Sequence, residues 1–190
     1  FKQMRDALAQ APSLKATTQD MSDAQIMAAV GLPNVPAEGR FFPDTYHYSR
    51  GATDLSVLRA AQQMLQKKLD AAWAERAKDV PLKSIDEALI MASIVEKETG
   101  LEADRTKVSS VFNNRLRIGM PLQTDPTVIY GLGASFDGNM RKKDLQTDTP
   151  YNTYTRKGLP PTPIALPGGN SIKAALQPAG APLVPSVSEV

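Results

Sequence analysis

Residues 84–100, SIDEALIMASIVEKETG, limit what this chain can become more than any other stretch. Ser84 followed three residues later by Glu87 is the capping-box pattern that opens a helix. Gly100 lets the backbone turn out of it. Between them Ile85, Ala88, Leu89, Met91, Ala92, Ile94 and Val95 cover most of a helical wheel, so the helix is buried on nearly all sides. The fold must wrap other elements around it. Yet the run ends in two carboxylates, Glu96 and Glu98. Burying a carboxylate is expensive unless something compensates it. A pKa raised by burial is, however, what a proton donor working near neutral pH requires. The wheel places Glu98 beside Met91 and Ile94, and Glu96 beside Leu89 and Ala92. It does not decide which points inward. The plainer alternative is that both are solvated at a helix end, paired with Lys97, Arg105 or Lys107.

Other helices are legible around this one. Residues 1–10 read as a short helix. A second runs from Ser22, a suitable N-cap, to a stop at Gly31. Asp54 is placed to cap a long helix reaching about Lys78, with Leu55, Leu58, Ala61, Met64, Leu65, Leu69, Ala72 and Trp73 at helical spacing. Another is expected from about Glu102 to Arg117, stopping at Gly119. Residues 32–50 read as loop or short strand, punctuated by Pro33, Pro36, Gly39 and Pro43. After Gly119 the texture becomes rich in Pro, Gly, Thr, Asn and Tyr. Residues 127–130 fit a short strand or a helical turn, and residues 171–176 a last short helix before Pro178. The 190 residues are enough for one substantial core.

Several function classes fall away. A net charge of +2 offers no broad field for nucleic acid. The absence of cysteine removes disulfides and thiolate metal sites. His47 is the single histidine and sits between tyrosines, as a packed or surface residue. Residues 131–133, GLG, lack a nucleotide fingerprint's context. Asp44, Asp125, Asp137 and Asp144 lack calcium-loop spacing. The run Arg141, Lys142 and Lys143 reads as a solvated loop, with a contact to an anionic glycan or peptide as the alternative. No metal or cofactor is expected. What stands out is uncharged hydrogen-bonding capacity at 111–130 and again at 151–154. Amides and carboxylates suit sugar hydroxyls, and aromatic faces suit the apolar side of a sugar ring. The same residues also serve ordinary turns, where Asn113 and Asn114 satisfy backbone.

These segments together carry a resemblance. ASIVEKET at 92–99, VFNNRL at 111–116, LQTDPTVIY at 122–130, YNTY at 151–154, GLPP at 158–161, PIALPG at 163–168 and, upstream, EGRFFPDTY at 38–46 resemble the MltG (YceG-like) endolytic murein transglycosylases, in family order over residues 1–179. The resemblance implies a fold of class α+β: a mainly helical, lysozyme-like catalytic scaffold with a long irregular or short-stranded C-terminal half. Residues 1–179 would be the catalytic domain, with 1–50 a peripheral N-terminal segment. Residues 180–190 form a tail that does not match. The family carries an N-terminal membrane helix and a small LysM-like module, so the chain reads as a soluble fragment of a protein anchored at the periplasmic face of the bacterial inner membrane.

The resemblance also implies the chemistry. The expected reaction cleaves the β-1,4 bond between N-acetylmuramic acid and N-acetylglucosamine within peptidoglycan strands, leaving 1,6-anhydro ends. The catalytic acid maps to Glu98. Asn114, Gln123, Tyr151, Asn152 and Tyr154 are expected to orient the sugars, with Asp125 supporting the network and Glu96 beside the acid. Peptidoglycan strands, and synthases that make them, are the expected partners. Two alternatives stay open. A hydrolytic muramidase would need a second carboxylate, about 5–5.5 Å away if retaining or about 6.5–9.5 Å if inverting, and Asp125 is the attractive one outside the helix. A peptidoglycan-binding module would bind without turnover.

Overall fold

The computed structural model describes residues 1–180, so the expected tail lies outside the described residues from 181 on. About half of these residues are helical, in α1 (Lys2–Ala9), α2 (Asp23–Ala29), α3 (Asp54–Ala74), α4 (Ile85–Glu98), α5 (Glu102–Arg117), α6 (Asp125–Leu132), α7 (Lys142–Gln146) and α8 (Gly169–Leu176). The centre is α4. All eight residues from Ala88 to Val95 are buried, and α3, α5, α6 and α8 pack around it. Ser84 caps it by accepting from the Glu87 N–H at 3.1 Å. The reciprocal arm of the capping box is displaced by one residue, since the Glu87 carboxylate accepts from the Lys83 N–H instead.

The main apolar cluster joins Leu65 and Leu69 of α3, the buried face of α4, Val108 and Phe112 of α5, Leu122, and Ile172, Ala174, Ala175 and Leu176 of α8. Truncating a leucine in such a cluster to alanine typically costs about 2–5 kcal/mol. A second cluster lies at the N-terminal end of α3, where Leu58 and Ala61 meet Phe1, Ile26, Met27, Ala37 and Phe41. The single long helix α3 therefore serves both clusters. Gly39 brings the segment after α2 against the 163–168 loop. Its φ is +82°, and a Cβ there would lie 2.3 Å from Cβ of Pro163. The same loop is tied to α4, where the Ile164 N–H donates to the Ser93 Oγ at 3.0 Å.

Three sequence expectations need correction, and one open alternative is decided. The α+β class does not hold: among the described residues the β pairing is one isolated bridge, Lys15 to Thr53, and the fold is helical. Of the two readings offered for residues 127–130, the helical one holds, because Pro126 stands in the first turn of α6, behind Thr124 as N-cap, where its missing N–H costs nothing. The long helix is capped by Thr53, whose hydroxyl accepts from the Ser56 N–H at 3.1 Å. Asp54 instead turns inward. That helix also stops at Ala74 rather than near Lys78: the Ala77 N–H is taken by the Leu176 carbonyl of α8 at 2.9 Å, and the Arg76 guanidinium stacks 4.0 Å from the Trp73 ring centroid. The C-terminal half is irregular as expected, although α8, read as a last short helix, is a central packing element.

Candidate active site

Glu98 is the last residue of α4, and its carboxylate is half-buried. One oxygen, Oε2, accepts a hydrogen bond from the Thr124 Oγ1 at 2.8 Å. Thr124 is itself nearly inaccessible, and a second loop holds it. Its N–H donates to the Thr153 Oγ1 at 3.0 Å. That oxygen lies 2.8 Å from the Thr127 Oγ1, whose hydroxyl donates to the Thr124 carbonyl at 2.8 Å. One residue earlier, the Gln123 N–H donates to the Thr153 carbonyl at 3.1 Å. The segments 122–127 and 151–154 are thus stitched together directly beside the acid.

The surrounding charges act in both directions. Burial, the largest influence, pushes the Glu98 carboxyl above the ordinary glutamate value. The Thr124 hydrogen bond opposes this, the neighbouring Asp125 charge adds to it, and the Arg115 guanidinium opposes it. The net direction is upward, toward a protonated acid. Arg115 is buried on α5 and donates from Nη1 to the Leu122 carbonyl at 2.6 Å. It supplies the positive charge that sequence reasoning had sought in Lys97, Arg105 or Lys107. Lys107 pairs instead with Asp104. The Tyr154 hydroxyl donates to the Asp125 carboxylate in a short hydrogen bond. Burial first, then that bond and the charges of Asp125 and Glu98, drive the Tyr154 phenol well above its usual range.

The remaining candidates divide. Gln123 is exposed with φ +52°, a left-handed conformation that side chains seldom adopt. Leu122 and Thr124 on either side are both buried, so the packing holds the strained residue in place. Tyr151 donates or accepts at the Thr162 hydroxyl, 2.7 Å away. Its ring lies 4.9 Å from that of Tyr130. Asn152 is buried and spends its amide on backbone. Its Nδ2 donates to the Thr147 carbonyl at 2.7 Å and the Leu145 carbonyl at 3.1 Å, and its Oδ1 accepts from the Tyr154 N–H at 2.9 Å. Asn114 is buried near the end of α5, where the Arg117 guanidinium donates to its Oδ1 in a short hydrogen bond and reaches the Asp79 carbonyl at 2.9 Å. His47 is exposed.

Glu96 lies two residues before Glu98, and so on a different face of α4. Its Oε2 accepts from the Gly168 N–H at 3.0 Å and from the Ser171 hydroxyl at 2.6 Å. Gly168 is the N-cap of α8, so this carboxylate ties down the N-cap N–H and a first-turn hydroxyl and places its charge at the positive end of the helix. It also borders an open groove of about 710 Å³ with Lys97, Phe42, Tyr46 and Tyr130.

Sequence reasoning named the segments but missed Thr124, Thr153 and Arg115 within them. A threonine in a loop reads as a turn former, and an arginine on a helix reads as exposed. The signal that finds them is adjacency: each lies inside a motif already quoted, next to a residue already singled out.

The sequence model of the YceG-like family matches residues 1–183. The endolytic murein transglycosylase of Bacillus subtilis (strain 168) is 43% identical over 144 residues, 75% of this chain and 39% of that protein. That of Streptococcus pneumoniae (serotype 2, strain D39) is 31% identical over 144 residues, 73% of this chain and 26% of that protein. The crystal structure of a YceG-like protein from Listeria monocytogenes superimposes with a TM-score of 0.69 at 32% identity, over 97% of this chain and 55% of that one. The chain thus spans well under half the length of these curated relatives.

Proposed function

The chain belongs to the YceG-like family, and on that premise we propose that residues 1–179 form the catalytic domain of a lytic transglycosylase, with 1–50 as its peripheral segment. The substrate is the glycan strand of peptidoglycan, cut at the β-1,4 bond between N-acetylmuramic acid and N-acetylglucosamine. The observation that carries this reading is the state of Glu98: a half-buried carboxyl at the exit of the central helix, one oxygen held by Thr124 and its pKa raised chiefly by burial.

Protonated Glu98 donates to the glycosidic oxygen. The C1–O4 bond breaks with its electron pair on O4, and positive charge develops at C1 of the muramoyl ring. The Glu98 carboxylate then removes the proton from the C6 hydroxyl, whose oxygen closes on C1. One residue acts as acid and then as base, no water is consumed, and the product ends in a 1,6-anhydro ring. The delivery of one acid from the end of a buried helix is the sense in which the scaffold is lysozyme-like.

Asp125, its carboxylate already engaged by Tyr154, offers negative charge to the developing cation. Gln123 and Tyr154 line the sugar path, and Tyr151 offers its ring edge. Asn152 shapes the path by fixing the backbone of residues 144–155, Asn114 by steadying the end of α5, and Glu96 by capping α8. The full-length protein acts at the periplasmic face of the inner membrane, tethered by an anchor outside this domain and working beside the synthases that extend the strands. No helix among the described residues is long and apolar enough to cross a membrane.

Digestion of purified peptidoglycan followed by mass spectrometry tests the reading. Anhydro ends are the expected product. Reducing ends, heavier by one water, would assign a hydrolase using Asp125 as the second carboxylate. Binding without cleavage would assign a glycan-binding module.

A further inference from the structure

Glu98 has two oxygens, and the structure treats them differently. Oε2 receives the Thr124 hydroxyl at 2.8 Å. The Thr124 backbone is fixed by its N–H bond to Thr153 and by the bond that its carbonyl accepts from Thr127, and its side chain is packed in the buried cluster, so the hydroxyl is presented to Oε2 from a fixed anchor. A hydroxyl that donates to Oε2 leaves the lone pairs of Oε1 as the ones best placed to carry the acidic proton. Both halves of the proposed reaction need a single oxygen that first gives a proton to O4 and then takes one from O6. If the carboxyl group rotated freely, the two oxygens would exchange and the alignment would be lost; a 1 Å error in placing a reacting group is enough to reduce rate markedly.

We propose that Thr124 is a positioning residue that locks the Glu98 carboxyl by one oxygen, so that the other alone performs both proton transfers. The inference rests on the transglycosylase reading of Glu98. It adds a mechanical division of labour: Thr153 and Thr127 hold Thr124, Thr124 holds Oε2, and Oε1 faces the sugar. The strained backbone at Gln123 belongs to the same device. Its φ of +52° is the bend that turns the buried Thr124 inward while leaving the Gln123 side chain outside.

The charged and titratable groups around Glu98 come from three other elements: Arg115 on α5, Asp125 at the start of α6, and Tyr154 in the loop that follows α7. None of them changes in a Thr124 variant. Thr124→Val keeps the shape and removes the donor; Thr124→Ser keeps the donor. In the full-length protein cleaving purified glycan strands, Thr124→Val should lower kcat about 10- to 100-fold, as loss of a hydrogen bond to a charged group does, with KM little changed. Thr124→Ser should restore most of the rate. A merely structural role would not move the pH profile, so the decisive readout is its upper limb. The Thr124 hydroxyl favours the carboxylate form of Glu98, so removing it should shift that limb to higher pH. Should the valine fold poorly, Thr124→Ala gives the same readout with less crowding. An unshifted upper limb, or a kcat within twofold of the parent in the hydroxyl-free variants, overturns the proposal. Full activity in Glu98→Gln would instead overturn the underlying reading, so the two failures are distinguishable.

Discussion

Two carboxylates in this chain meet threonine hydroxyls near a helix end, and they have opposite fates. Asp54, in the first turn of α3, is 3% exposed and receives five hydrogen bonds, from the N–H and hydroxyl of both Thr17 and Thr18 and from the Leu55 N–H, at 2.6–3.0 Å. Those bonds overcome the opposing effect of burial, which is the largest single influence, and bring its pKa down to about 2. Glu98, at the end of α4, receives one such hydroxyl among the described residues, and burial prevails. The lesson is one of counting donors. A fully satisfied carboxylate stays charged and clasps the fold together. A half-satisfied one holds its proton more tightly and has a free oxygen with which to deliver it.

The largest expected effect breaks the Glu98 side. Glu98→Gln should reduce cleavage about a thousandfold or more, the range of general acid–base catalysis, in a mass-spectrometric murein assay. The same variant sharpens the comparison through stability. The folded-state pKa of Glu98 lies above its unfolded value near 4.5, so the folded state binds that proton more tightly than the unfolded state. Stability from this group is therefore present at low pH and lost as pH rises through the folded-state pKa. Glu98→Gln removes the charge and should raise Tm at neutral pH. The gain should vanish below about pH 4.5, as thermal melts across pH would reveal.

Asp54 should behave in the reverse sense. Asp54→Ala leaves three N–H groups and two hydroxyls without their acceptor and should destabilise the fold by roughly 3 kcal/mol, or roughly 6–12 °C in Tm. The turnover of the molecules that remain folded should be unchanged. In the parent protein the Asp54 contribution, about 2 kcal/mol, is fully present above the unfolded pKa near 3.8 and lost as pH falls toward about 2. A stability curve flat through that window would show that the clasp does not hold in solution.

The smallest effect concerns Glu96. Glu96→Gln weakens the charged cap on α8 and should cost about 0.5–1 kcal/mol in a denaturant titration, with kcat within about threefold of the parent. A collapse of turnover here, with Glu98→Gln still active, would exchange the roles assigned to the two carboxylates.

Much of this was legible beforehand. The spans of α2, α4 and α5 follow from apolar spacing with Ser22, Ser84, Gly31 and Gly119 as punctuation, because capping and periodicity are local properties. The segments that meet at Glu98 were named by their motifs. Their internal division was not. Asn152 is expected to orient sugars, and the structure finds its amide bonded to backbone; Arg115 draws no reading of its own from the sequence, and the structure finds it buried.

By itself the sequence determined that one helix must lie at the centre and that its final turn must carry two acids, since hydrophobic periodicity and end signals act within a few residues. Which acid anchors the start of α8 and which is left half-buried with a raised pKa was decided only by tertiary structure. The hydroxyl that reaches Glu98 comes from 26 residues away, and the donors that satisfy Glu96 come from 72 and 75 residues away. A carboxylate's pKa depends on the donors and the burial around it, and for these two acids both were set by chain that returns from far along the sequence.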